Sequence, residues 1–358
     1  MKIAVLGSGN GAHATAFDWA MAGHDVYMFD FPQFAKSIEA IGAAGGIHSE
    51  GEMEGFQKVR YAGTDIARVV PGADVIFAVG PAYSTVAFGN ACAPYVEKGQ
   101  LYVVMPGSCM GAVTFKRALG LAIADDRVTV AETHTLPYAV RITGPARIAV
   151  YNRLPGGYYV AAIPRERNDA VYEALKPVYP HIRKGDSVLM TTLQNGNPVI
   201  HPSITTCNAA LIERTHGDFF FYHEGVTPAV GRLIKGMDDE RLRIGEALGI
   251  RLLRDPEISI DQGYMVVDSY DEGYNTSPGF DGIKAQSSLD YRYYNEDVGY
   301  TMTFWIELAD RLGVEVPLMK AMVRIVSTLM GRDYAAEAPR TLESLGLGDY
   351  SAEDLKKL

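Results

Sequence analysis

The sequence predicts two fold classes in series, an α/β half built on a parallel sheet and then an all-α half. Three observations carry this. Residues 2–30 read KIAVLGSGNGAHATAFDWAMAGHDVYMFD, an apolar run, a glycine-bearing turn, an apolar segment at helical spacing and a second β-rich run ending at Asp30. That order is strand, turn, helix, strand. Further short β-like runs follow at 73–80, 100–107 and 127–133, separated by the helix-length stretches 82–97 and 111–124. Such alternation is expected of parallel strands covered by helices. After about Asp186, the segments 203–215, 226–249, 299–313 and 317–331 carry apolar residues at spacings of three and four, which predicts helices.

Two more β-rich pieces, ARIAVYN (146–152) and GYYVAAIP (157–164), lie close together and are expected to finish the sheet as a hairpin or a mixed edge. The expected domains are residues 1–186 and 187–358. In the second, the polar, tyrosine-rich stretch DSYDEGYNTSPGFDG (268–282) reads as a long functional loop. His201 precedes Pro202, which disfavours α geometry at the histidine and is expected to break the helix there.

The chain has 358 residues, enough for two hydrophobic cores, and 47% hydrophobic with 21% charged residues describes a globular protein rather than a disordered one. Acidic residues outnumber basic ones by 43 to 33, and a net charge of −10 repels a phosphate backbone, so nucleic acid is not an expected partner. Cys92, Cys109 and Cys207 are few, odd in number and far apart. Free buried thiols in a reducing compartment are expected, with no disulfide framework and no metal site. Neither a secretory leader nor an apolar stretch of about 20 residues is seen, and a cytoplasmic location without a membrane partner is expected.

Gly7, Gly9 and Ala12 form G-x-G-x-x-A directly after the first strand, and Asp30 ends the second. Gly7 permits a tight turn, Gly9 lets the backbone approach a pyrophosphate at a helix N-terminus, and Ala12 allows close packing of helix on strand. Asn10 and Gly11 lie in the same turn and are counted with this site. Glycines alone are weak evidence, but with the strand, helix, second strand and acid in place they define a Rossmann-type doubly wound, dinucleotide-binding domain. A carboxylate at Asp30 accepts both ribose hydroxyls of NAD and repels the 2′-phosphate of NADP. NAD is therefore the expected cofactor, with NADP left open because Lys36 is near. Pro81 and Gly107 follow strands at their carboxyl ends, where open α/β sheets place ligands, and are expected to line the nicotinamide and its ribose.

Three stretches, GSGNGA at the amino terminus, NGNPVIHP (195–202) and LDYRYYNEDVGY (289–300), together resemble the opine dehydrogenases, the octopine and N-(carboxyethyl)amino-acid dehydrogenase group. The resemblance extends over nearly the whole chain, including the closing TLESLGL (341–347). It implies an enzyme that condenses the amine of an amino acid with a 2-oxo acid such as pyruvate and reduces the imine, with small molecules as partners and the oligomeric state open. Carried over by motif, it implies His201 as the catalytic histidine, Asp297 as its partner, and Arg292 as the anchor of the oxo-acid carboxylate. Glu132 is placed with the amino-acid substrate, and Asn197 is counted among the substrate-binding residues. Arginine-using members carry a cysteine where Val140 stands here, which argues against arginine as the substrate.

Each assignment also rests on its own chemistry. An imidazole titrates near neutrality and can give or take a proton at the reacting centre. A carboxylate on its other nitrogen fixes the tautomer and supports the imidazolium, with Glu296 the competitor of Asp297. A guanidinium fork matches a carboxylate in two hydrogen bonds, though arginines also form purely structural pairs. Tyr291, Tyr293 and Tyr294 are read as packing, and His134 as either a polar contact or a solvent-facing residue. One alternative is a hydroxy-acid or glycerol-phosphate-type dehydrogenase of the same architecture, which would place a lysine early in the helical half. No lysine occurs between Lys184 and Lys235. The other alternative is a non-catalytic NAD-binding sensor, which the fold alone would serve equally well.

Overall fold

The computed structural model describes residues 1–358. Twelve strands run in chain order: β1 (Lys2–Leu6), β2 (Asp25–Phe29), β3 (Gly46–Gly51), β4 (Gly55–Lys58), β5 (Tyr61–Gly63), β6 (Val75–Ala78), β7 (Leu101–Val104), β8 (Thr129–Thr133), β9 (Tyr138–Gly144), β10 (Arg147–Arg153), β11 (Tyr158–Ile163) and β12 (Ile182–Lys184). Eight of them form one sheet in the order β12-β11-β8-β7-β6-β1-β2-β5. β1 pairs in parallel with both β2 and β6, so the strand order reverses beside it, at the carboxyl end where Gly7 follows. The central strands β6 and β7 are buried along their whole length, as strands covered on both faces must be.

The edge of this sheet corrects one expectation. β11 does join it, antiparallel to β8, but β10 does not. Instead β10 pairs with β9 and β3 in a separate four-stranded sheet ordered β4-β3-β10-β9. The helix Asn10–Met21 touches strands of both sheets, and Ala12, Ala14, Ala16, Phe17 and Trp19 on it are wholly buried. A helix that is apolar all round is stable only in such a position. Its one buried acid, Asp18, pairs with Arg153 at 3.0 Å and accepts a 2.8 Å hydrogen bond from Tyr138, tying the helix to the smaller sheet.

The chain divides into two compact units, Met1–Leu154 with Tyr158–Thr191, and Pro155–Gly157 with Thr192–Leu358. The second is helical, its longest members Pro228–Ala247 and Pro317–Met330. The segment 203–215 is not one helix but the end of Asn197–Cys207 followed by the whole of Ala209–Thr215. Pro202 does not break the first of these. A proline here removes the N–H that would reach the Pro198 carbonyl and crowds that carbonyl, and burial of every residue from 198 to 205 offsets that local cost. The 299–313 segment begins earlier than expected, as a π-helical turn, Asp297–Met302, that runs into the helix Thr303–Leu312. The stretch 268–282 is not one open loop, since it contains the helical turns Glu272–Thr276 and Pro278–Phe280. Cys92 and Cys109 are buried, whereas Cys207 is exposed. No helix is long and apolar enough to cross a membrane.

Candidate active site

The first unit carries a ligand-sized hollow at its glycine turn. Gly7 sits at φ +116°, and a Cβ there would lie 2.4 Å from the Val79 carbonyl oxygen, so no other residue fits without displacing the turn. Ala12 packs against the same spot. Gly9 differs, because its Cβ direction opens on space with no protein atom within 4 Å. It is the N-cap of the helix Asn10–Met21, whose first turn has no acidic residue and no side-chain cap, so its N–H groups remain available to an anion.

A cavity of about 440 Å³ adjoins this turn, lined by Gly7, Ser8, Gly9, Asp30 and Pro81 among others, with Phe34 and Tyr83 presenting exposed rings. Asp30 is only 5% exposed. One of its oxygens accepts from the Ser8 hydroxyl at 2.6 Å and the other from the Phe31 N–H at 2.8 Å. These residues fit a dinucleotide: an open amide-lined turn for the pyrophosphate and an oriented carboxylate for a ribose.

Four further residues expected at the ligands have these surroundings. Asn10 accepts from the Ile142 N–H at 2.8 Å, and Gly11 makes room for Leu136. Gly107 does not line the cavity, and a Cβ on it would meet the Glu132 side chain at 2.6 Å. Glu132 is wholly buried, accepting from the Ala112 N–H and from the Thr191 hydroxyl, each at 2.7 Å. It thereby meets the start of the helix Gly111–Ala118. His134 is buried too, with Nδ1 accepting from the Tyr159 N–H at 3.2 Å, and Val140 lies in the core.

In the helical unit, the helix Asn197–Cys207 carries His201 on a buried face, 7% exposed. Its Nδ1 lies 2.8 Å from a carboxylate oxygen of Asp297, the first residue of the π-helical turn. π-turns frequently mark functional sites, and here one carries the acid that meets the imidazole. Of the two neighbouring acids, Glu296 pairs with Arg292 at 3.1 Å. Burial pushes the Asp297 carboxyl above its ordinary value, and the hydrogen bond from His201 and the charges of His201 and Arg292 pull it back. Arg292 has 45% of its side chain exposed. Asn197, half-buried, opens the helix, its N–H donating to Asn195 at 3.2 Å.

Several residues here were not legible in the sequence. Tyr222 puts its hydroxyl 3.1 Å from His201 Nε2. Tyr293 packs as expected, but its partner is the imidazole itself, stacked at 3.9 Å, while Tyr291 is exposed. Tyr294 donates to or accepts from Thr206 at 2.9 Å. Deeper in the unit a cluster of Asp238, Arg241 and Asp255 is closed off from solvent. Arg241 reaches Asp238 at 2.7 Å and the carbonyls of Leu193 and Leu253 at 2.8 and 2.7 Å. Tyr274 donates to Asp255, which burial and the Asp238 charge push up to about 7. Asp238 and Arg241 stand at helical spacing on one helix, whereas the contacts that bring Asp255, Tyr274 and Tyr222 into place join segments farther apart in the chain.

A doubly wound unit with a glycine turn, followed by a helical unit with a buried His–Asp pair beside an arginine, defines a two-domain pyridine-nucleotide oxidoreductase. Comparison with known proteins narrows that class. Residues 184–330 match the family described as NAD/NADP octopine/nopaline dehydrogenase, alpha-helical domain. An opine dehydrogenase of Arthrobacter sp. (strain 1C) is 32% identical over 354 residues, spanning 99% of this chain and 97% of the relative. The protein ocs of Agrobacterium vitis is 27% identical over 355 residues, spanning 98% and 97%. The fold matches an octopine dehydrogenase solved with NADH and agmatine at a TM-score of 0.81, with 19% identity and coverage of 100% of this chain and 98% of that one. It matches a yersinopine dehydrogenase with NADP+ bound at 0.76, with 17% identity and the same coverage. The chain belongs to the opine dehydrogenase family, NAD(P)-dependent oxidoreductases that act on CH–NH bonds.

Proposed function

We propose that this protein uses NADH to join the amine of an amino acid to a 2-oxo acid such as pyruvate, giving an N-(1-carboxyalkyl)amino acid, and runs the reverse with NAD. The observation that carries the reading is the buried His201–Asp297 pair at 2.8 Å, with Arg292 opening the helical segment that leads into Asp297. The relatives named above, octopine dehydrogenase with NADH among them, support the reaction class.

Each residue has a task that follows from its surroundings. Arg292 holds the oxo-acid carboxylate with its two-pronged donor, placing the oxo carbon for attack. His201, protonated on Nε2, gives that proton to the oxygen lost as the amine condenses, and recovers it in the opposite direction. Asp297 keeps Nδ1 protonated and balances the charge of the imidazolium. The bound nicotinamide supplies the hydride. Ser8 orients the Asp30 carboxylate, whose remaining acceptor capacity meets a ribose diol and whose charge opposes a 2′-phosphate, favouring NAD over NADP.

The test is NADH oxidation with pyruvate and other 2-oxo acids against each amino acid in turn, with the product weighed by mass spectrometry. The expected outcome is oxidation that needs both substrates, a secondary amine of the summed mass, and weaker use of NADPH. Oxidation with an oxo acid alone, yielding a hydroxy acid, would support the simpler dehydrogenase instead.

A further inference from the structure

His201 is gripped on both ring nitrogens, and only one grip belongs to the reading above. Nδ1 faces Asp297, an acceptor, so in the neutral ring Nδ1 carries the hydrogen and Nε2 is a bare acceptor. The Tyr222 hydroxyl, 3.1 Å away, then has one role open to it, donating to Nε2. Nε2 is the nitrogen that the proposed chemistry uses.

The phenol is built to stay there. Its ring stacks on Tyr274 at 5.7 Å and 11°, packs on Phe280 at 4.5 Å and meets Phe221 edge-on at 5.1 Å. Tyr274 is itself anchored by its hydroxyl to the buried Asp255. Burial, with the charges of Asp255 and Asp297 and the neighbouring Tyr293 and Tyr264, holds the Tyr222 hydroxyl well above its ordinary value, so it remains a donor. The groups facing the imidazole are therefore Asp297, Tyr222 and the stacked Tyr293, with Arg292 and Glu296 behind Asp297.

We infer that Tyr222 is a positioning residue for the reaction: its hydroxyl donates to His201 Nε2, and with Asp297 it holds the imidazole in one orientation and favours its neutral form. This rests on the acid–base assignment of His201. A donor to bare Nε2 stabilises the neutral ring, so removing it makes the ring easier to protonate. In the oxidative direction, where His201 must be neutral, the acidic limb of the pH profile moves to higher pH.

The test is Tyr222→Phe in the full-length protein, which keeps the ring and its packing. Losing one such hydrogen bond corresponds to an upward shift of the acidic limb by about half a unit to one unit. The imidazole titration of His201, followed by NMR in protein labelled with 15N-histidine, should shift equally without any substrate. Tyr274→Phe, which leaves the Tyr222 hydroxyl in place, should leave the limb where it is. An unmoved limb and titration in Tyr222→Phe, or an equal shift in Tyr274→Phe, would overturn the inference. His201→Ala separates the two levels: full activity there defeats the acid–base reading, whereas an inactive His201→Ala beside an unchanged Tyr222→Phe defeats only the role given to Tyr222.

Discussion

Arg292 shows how little a residue's type settles by itself. Its ion pair with Glu296 joins a side chain 45% exposed to one only 2% exposed, so the arginine also balances a buried carboxylate. What a guanidinium offers over an ammonium is its planar fork. Arg292→Lys is therefore expected to raise KM for the oxo acid about tenfold or more while NADH affinity holds, as steady-state kinetics and calorimetry would show. An unchanged KM would return Arg292 to a structural role. At this scale His201, Asp297 and Arg292 were legible because each lies in a short stretch that resembles a family motif. Tyr222 and Tyr293 were not, since a tyrosine in a tyrosine-rich chain gives no sign of which ring or imidazole it will meet.

Among the elements, the strand–turn–helix at the amino terminus is the most constrained. Gly7→Ala would add a methyl group 2.4 Å from the Val79 carbonyl at a φ that alanine adopts only under strain. The expected result is a cost of about 1–3 kcal/mol in stability and at least a tenfold weaker NADH complex, read by thermal unfolding and titration. A variant that binds NADH normally would show that the turn is not the pyrophosphate site. The main sheet was legible because parallel strands read as short apolar runs between helices. The second sheet was not, because β3 (GIHSEG) and β4 (GFQK) are polar and glycine-bearing, and neither shows strand periodicity. Pro202 is the opposite case, a strong local preference overruled by burial of the helix around it.

For the whole molecule, the buried Asp238–Arg241–Asp255 cluster couples stability to pH. Asp255 is pushed up to about 7 when folded and titrates near 4 in an unfolded chain, so folding takes up a proton between these values. Its contribution is full below about pH 4 and is lost as the pH rises through 7. Asp255→Asn, which cannot ionise, is expected to melt higher relative to the parent at pH 8 than at pH 5. An equal difference at both pH values would contradict the assignment. Length indicated two domains, and Asp238 and Arg241 stand at helical spacing, but nothing local relates that pair to Asp255.

The central claim, that His201 is the acid–base group of an NADH-dependent condensation, is tested most directly by measuring kcat and NADH affinity for His201→Ala and Asp297→Asn, singly and together. Loss of a positioned proton-transfer group is expected to lower kcat about 10²- to 10⁴-fold with NADH binding intact. The double variant should be little worse than the weaker single one, because residues that act as a unit are not additive. Full turnover in folded His201→Ala, with only its melting temperature lowered, would make His201 a packing residue and contradict the account.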